Sequence, residues 1–329
     1  MPETERRHPP AAPDPLSGPG GTGFPAIGPG SRVGFVGLGH MGVPMASHLA
    51  AAGYLVAGHD ISDEARERAR AAAPAVELPG TLAGAARDAD AVILMLPDSK
   101  VIKQVTTEQG LLAAMPEGAL LIDMSSAEPA ATERLARQAA ARDIAVVGAP
   151  VSGGVAGAAQ ASLTIMVGGA GPAVERARPV LEVLGRNVLH VGTMPGAGHA
   201  LKALNNLLSA IHLLATSEAM VAGQRFGLDP EVMLAAINTS SGRSGSTQVK
   251  WPDYILPATF DSGFSASLLV KDMLIGLGVE REFGTGSQLA ETALDVWRRA
   301  ATWLPAGADH TQIVRWLRST REGDGNWAE

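Results

Sequence analysis

The stretch that most constrains this chain is Val33-Gly34-Phe35-Val36-Gly37-Leu38-Gly39-His40-Met41-Gly42, with a helical pattern running on to Ala52. A short apolar β-type run enters three glycines spaced G-x-G-x-x-G, and a helix follows at once. In that context each glycine has a job. Gly37 permits the tight turn, Gly39 lets a pyrophosphate approach the backbone, and Gly42 lets helix and strand pack closely. The helix N-terminus offers unpaired N–H groups and a partial positive charge to phosphates. The chain has 39 glycines, so the spacing alone carries little; the strand before it and the helix after it favour dinucleotide binding over a plain turn. Gly37, Leu38, Gly39, His40, Met41 and Gly42 are the expected contacts.

Strand and helix signals continue to alternate. Gly53 stops the first helix, Tyr54 to His59 supplies a second strand, and Asp60 closes it. That acid falls about 20 residues beyond the glycines, where a carboxylate can bond the ribose hydroxyls of NAD and repel the 2′-phosphate of NADP. The alternative is a turn or helix-capping role, for which Ser62 is better placed. Apolar runs at 91–96, 119–123 and 144–148 read as buried parallel strands, with a helix from Pro129 to about Arg142. Segments 162–167 and 188–191 read as the last strands, with a helix from Pro172 between them. The loops Pro97-Asp98, Ser125-Ser126 and Ser152-Gly153-Gly154 fall at strand carboxyl ends, where open parallel sheets bind ligands.

Composition narrows the class. A formal net charge of −7 and a sequence pI near 5.6 argue against a nucleic-acid groove or an anionic membrane surface. With no cysteine, thiolate nucleophiles and Cys-ligated metals are excluded, and none of the 8 histidines pairs with another at ligand spacing, so no metal site is expected. No apolar run is long enough to cross a bilayer. Met1 to Gly30 is crowded with Pro and Gly and reads as a flexible tail; no apolar segment follows Arg6-Arg7, so an export signal is not indicated and a cytoplasmic protein is expected. Ser319 to Glu329 is expected to fray.

Beyond Gly192 the β signals fade, and one helical pattern runs from Gly196 to about Phe226, stopped by Gly227. It is apolar on most sides, so it should be buried between domains or between subunits. Lys202, Asn206 and Ser209 share one face. A lysine in the first turn could reach out to solvent along its stem, but a helix N-terminus is a poor place for a cation. A desolvated lysine has a lowered pKa that suits acid–base work near neutrality, which favours a functional reading. The fold expected is α/β: a Rossmann-type doubly wound dinucleotide-binding domain (31–194), then an all-α substrate and oligomerisation domain (195–318) joined through the long helix.

At this point the chain resembles the β-hydroxyacid dehydrogenase family, whose members include 3-hydroxyisobutyrate dehydrogenase and tartronate semialdehyde reductase. The motifs are Gly37-Leu38-Gly39-His40-Met41-Gly42-Val43-Pro44-Met45, Asp123-Met124-Ser125-Ser126, Pro150-Val151-Ser152-Gly153-Gly154, Gly196-Ala197-Gly198 through Lys202 to Asn206, and Lys271-Asp272, in the family's order. The resemblance implies that Lys202 is the catalytic acid/base and that Asn206 holds the substrate hydroxyl and the lysine. It implies that Ser152, Gly153 and Gly154 cradle the substrate carboxylate with Ser125 nearby, and that Leu96, Pro97, Ser126 and Lys271 contact the cofactor. Taken alone, Lys271 would read as a surface ion pair with Asp272. NADP-using relatives tend to carry Asn-Arg-Thr where this chain has Asp60-Ile61-Ser62, which favours NAD. A small hydroxyacid substrate and a homodimer or homotetramer are expected. The competing readings are an imine reductase-like enzyme, which would usually lack the lysine, and a non-catalytic NAD-binding protein on the same scaffold. The Ser/Gly-rich loop 240–246 reads as a connector, with Arg243 and Trp251 left open as substrate contacts.

Overall fold

The structure, a computed structural model, describes residues 26–323. Five parallel strands run in the order β2 (Leu55–His59), β1 (Arg32–Val36), β3 (Ala91–Leu94), β4 (Leu120–Asp123), β5 (Ala145–Gly148). The order reverses at β1, so the fingerprint loop opens at the switch point between β1 and β3, where such sheets bind ligands. The sheet then departs from the all-parallel expectation. Val151–Ser152 forms a short strand, β6, antiparallel to β7 (Leu163–Gly168), and β8 (Gly185–Gly192) lies parallel to β7. β3 and β4 are buried along their whole length, because helices cover both faces. One apolar layer holds Phe35, Ile93 and Ile122 with the helix Gly42–Ala51; the other holds Val36, Leu94 and Leu121 with the helix Pro129–Ala140.

The long helix spans Ala197–Phe226 and ends on Gly227 in the left-handed conformation (φ +99°), as its stop signal predicts. Its first turn sits directly on the sheet. A Cβ on Gly198 would lie 2.2 Å from the Met166 carbonyl oxygen, so only glycine allows that approach. Further along, the helix packs against helices Ala266–Glu282, Gln288–Trp303 and Ile313–Gly323 in a separate apolar core around Trp251 and Trp297. Trp297 Nε1 donates to the Ala210 carbonyl (3.1 Å) and Trp251 Nε1 to Ser217 Oγ (3.3 Å), so each indole buries its area with its one donor satisfied. The expectation that the whole helix is buried needs correction for the single chain: Leu201 is 40% and Leu208 52% exposed.

The tail expected over Met1 to Gly30 lies outside the described residues as far as residue 25. Ile27 is already core, buried beside the fingerprint helix, and its carbonyl accepts from the Tyr54 hydroxyl. At the other end helix continues to Gly323, past the expected fraying point, and residues 324–329 lie outside the described range. Among the described residues no helix is long and apolar enough to cross a membrane.

Candidate active site

The cradle is built by glycines that close neighbours require. At Gly37 (φ +102°) a Cβ would lie 2.2 Å from the Met95 carbonyl, and at Gly42 one would lie 1.9 Å from the Gly37 carbonyl. At Gly39 a Cβ would meet nothing within 4 Å: the open space lies on the solvent side, where a phosphate would approach. Among the described residues the N–H groups of Gly39, His40 and Met41 have no hydrogen-bond partner, and the helix Gly42–Ala51 starts behind them. Free donors around an open glycine fit a pyrophosphate.

Asp60 caps the edge of this loop. Its Oδ2 accepts from the Leu38 N–H (2.8 Å) and its Oδ1 from the Ser62 N–H (2.8 Å). Each oxygen keeps a lone pair for a ribose hydroxyl. Helix capping falls to Ser62, whose Oγ accepts from the Ala65 N–H at 3.2 Å. Leu96, Pro97 and Ser126 continue the same edge at the ends of β3 and β4, all at least partly exposed.

Ser125 departs from its expected place beside the substrate. It is fully buried, with its hydroxyl accepting from the Leu96 N–H (3.0 Å) and facing the Leu94 carbonyl (3.5 Å). Its work is to tie the end of β3 to the end of β4, and Asp123 Oδ1 supports it by accepting from its N–H (3.1 Å). Lys271 also has a definite task. Its ammonium donates to the Pro97 and Ser126 carbonyls (3.0 Å each) and pairs with Asp272 (3.2 Å). It thereby fastens the helical domain to the two loops expected to hold the cofactor. A cavity of about 500 Å³ lined by Asp98, Ser99, Ser126, Pro129, Lys271 and Leu274 opens beside this clasp, reaching the site only at Ser126 and Lys271.

Lys202 and Asn206 lie together on the buried face of the long helix, both under 10% exposed. No hydrogen bond or ion pair among the described residues engages the Lys202 ammonium. Burial pushes its pKa down to about 8; Asp272 opposes the shift, and Lys271 and Lys250 add to it. Asn206 Nδ2 donates to Asp272 Oδ2 at 2.6 Å, which fixes its side chain. Asp272 is therefore a residue that the sequence reading passed over: it orients Asn206, pairs with Lys271 and sets the field at Lys202. The Lys-Asp dipeptide was the available signal, but it reads as a surface pair until the helix is docked.

His199, one turn before Lys202, was also missed. It is fully buried, with Nδ1 3.1 Å from Thr132 Oγ1 and Nε2 3.6 Å from Asp123 Oδ2. Burial lowers its pKa, with Asp123 acting against that. It joins the long helix to the end of β4. Ser152, Gly153 and Gly154 form a partly open turn, both glycines at positive φ, facing the second domain: a Cβ on Gly154 would lie 3.8 Å from the Ser262 carbonyl. Trp251 belongs to the core, and Arg243 is exposed.

A phosphate cradle at the strand switch point, closed by a helical domain that brings a buried lysine to its mouth, defines the class of two-domain NAD-dependent hydroxyacid dehydrogenases. Comparison with known proteins agrees. Residues 32–192 match the NAD binding domain of 6-phosphogluconate dehydrogenase, and residues 196–317 match the NAD-binding unit of NADP-dependent 3-hydroxyisobutyrate dehydrogenase. The chain is 39% identical to 2-(hydroxymethyl)glutarate dehydrogenase of Eubacterium barkeri, over 88% of this chain and 96% of that one. It is 37% identical to NAD-dependent L-serine dehydrogenase of Pseudomonas aeruginosa, over 81% and 91%. The solved Mycobacterium tuberculosis 3-hydroxyisobutyrate dehydrogenase with L-serine superimposes with a TM-score of 0.81 at 32% identity, covering 88% of this chain and 99% of that one. The chain belongs to the 3-hydroxyisobutyrate dehydrogenase family of β-hydroxyacid dehydrogenases. It is an NAD-binding oxidoreductase of hydroxyacids.

Proposed function

We propose that this protein interconverts a small 3-hydroxy carboxylic acid of the 3-hydroxyisobutyrate type and its semialdehyde, with Lys202 as general acid/base. The observation that carries this reading is the buried, unpaired Lys202, with its pKa lowered to about 8 beside an Asn206 locked by Asp272. Gly37 to Gly42, Asp60, Leu96, Pro97 and Ser126 would hold NAD. When bound, NAD supplies the hydride acceptor. The chain's own residues do the rest. Ser152, Gly153 and Gly154 hold the substrate carboxylate, and Asn206 orients the hydroxyl. Neutral Lys202 takes the hydroxyl proton in oxidation, and its ammonium returns a proton to the carbonyl oxygen in reduction. Proton transfer of this kind is worth about 10²–10⁴-fold. Asp60 and the absence of an arginine at position 61 favour NAD over NADP.

The active species proposed is a homodimer or homotetramer in the cytoplasm, supported by the uncovered apolar face of the long helix. The test of function is a panel of 3-hydroxyisobutyrate, L-serine and longer 3-hydroxy acids with their semialdehydes, assayed with NAD and NADP at the reduced-nicotinamide band. NAD-dependent turnover of at least one 3-hydroxy acid is expected, and it also decides against imine reduction and a non-catalytic role. No turnover with either cofactor contradicts the reading.

A further inference from the structure

One cation near the site is used by nothing described above. Lys250 sits on the π-helix Ser246–Ile255, which packs against the long helix and is pinned there by the fully buried Trp251. It is only partly accessible, and burial lowers its pKa while Asp309 and Asp253 act against that. Its charge also reaches Lys202, whose pKa it depresses. No hydrogen bond or ion pair among the described residues engages its ammonium; the Tyr254 ring, 5.5 Å from Nζ, is its one recorded direct contact.

Asp309 does not satisfy it. That carboxylate already accepts from Ser262 Oγ (2.8 Å), the Gly263 N–H (2.9 Å), the Phe264 N–H (3.2 Å), the Thr311 N–H (2.9 Å) and Thr311 Oγ1 (2.6 Å). Those bonds hold the Ser262–Phe264 loop against the Gly153–Gly154 turn. Lys250 therefore feels two landmarks at once: Lys202, and the Asp309 clamp behind the turn expected to take the substrate carboxylate. A position influenced by both belongs to the wall of the substrate compartment.

The charge balance there is uneven. Lys202, Lys250 and Lys271 face one site carboxylate, Asp272, and Lys271 is already bound to Asp272 and two carbonyls. Two ammonium groups remain, whereas a monocarboxylate brings one negative charge. A half-buried cation without a partner is costly unless a ligand supplies one.

We propose that Lys250 binds a second anionic group on the substrate, so that the preferred substrates are 2-(hydroxymethyl) dicarboxylates rather than simple 3-hydroxy monocarboxylates. This rests on the hydroxyacid reading above and narrows it. The chemistry is unchanged: the carbinol is oxidised to the aldehyde as NAD is reduced, the hydroxyl proton goes to Lys202, and neither carboxylate is altered.

The experiment compares kcat/KM for 2-(hydroxymethyl)succinate and 2-(hydroxymethyl)glutarate with that for 3-hydroxyisobutyrate, in the full chain and in Lys250→Met and Lys250→Arg. The intact protein should prefer a dicarboxylate, Lys250→Met should lose that preference by about 10- to 100-fold, the worth of a charge-assisted hydrogen bond, and Lys250→Arg should keep most of it. Monocarboxylate turnover that survives in Lys250→Met shows that the variant is folded. Intact protein that oxidises the monocarboxylate at least as well as every dicarboxylate overturns the proposal and leaves the hydroxyacid reading standing. A loss shared equally by all substrates, with the pH inflection of oxidation moved up, assigns Lys250 to tuning Lys202 alone and also overturns it. Failure to oxidise any of these acids overturns both readings together.

Discussion

At the scale of single residues, the site turns on a lysine kept in a place that disfavours its charge. Burial drives the Lys202 pKa down to about 8, Asp272 pulls it back up, and Lys271 and Lys250 push it further down. Oxidation needs the neutral amine, so kcat/KM for the hydroxyacid should rise with pH to a plateau, with its inflection near 8. Reduction needs the ammonium and should fall across the same range. Asp272→Asn removes the one negative charge that opposes the shift, so the inflection should move to lower pH; a pH–rate profile of the variant that moves upward would contradict the electrostatic account. The sequence identified Lys202 and Asn206 as partners on one helical face, but not the group that holds them. Asp272 lies 66 residues from Asn206, and only docking of the helix Ala266–Glu282 brings it within 2.6 Å. Ser125 failed in the opposite sense. A serine at a strand end reads as polar and available, whereas here its hydroxyl is consumed inside the sheet.

At the scale of elements, the long helix carries the site and the sheet sets where the helix begins. Gly198 rests on the backbone of two strands, 2.2 Å and 2.8 Å from the Met166 and Gly148 carbonyl oxygens to a built Cβ. Gly198→Ala should force the helix off the sheet, lowering stability by about 1–3 kcal/mol and reducing kcat because Lys202 moves with it. Chemical denaturation and steady-state kinetics measure the two effects; an unchanged variant would mean that the close approach is dispensable. The parallel strands and their helices were legible because continuous apolar runs alternate with helical patterns. β6 was not, since two residues give no period. The π-helix Ser246–Ile255 was not either, because Pro252 and the serine-rich approach to it read as a loop. Long-range packing through Trp251, not local propensity, stabilises it.

At the scale of the whole molecule, two cores are joined by one helix, and Lys271 clasps them across the cleft through the Pro97 and Ser126 carbonyls. The helix leaves Leu201 and Leu208 uncovered, with Phe226 85% exposed at its end. Covering a large apolar side chain contributes about 1.5–3 kcal/mol, so self-association through this helix is favoured. Sedimentation should therefore report a dimer or tetramer at micromolar concentration, and a monomer would contradict that reading. Which surfaces pair was not legible in the sequence. The pattern said that the helix is apolar on most sides, but not which side the chain itself would cover.

The central claim is that Lys202 moves the proton. Lys202→Ala, assayed for hydroxyacid oxidation and titrated with NADH by fluorescence, tests it most directly. The account predicts that turnover falls by about 10²-fold or more while NADH binds as in the unaltered protein. A variant that binds NADH and retains substantial turnover would contradict it.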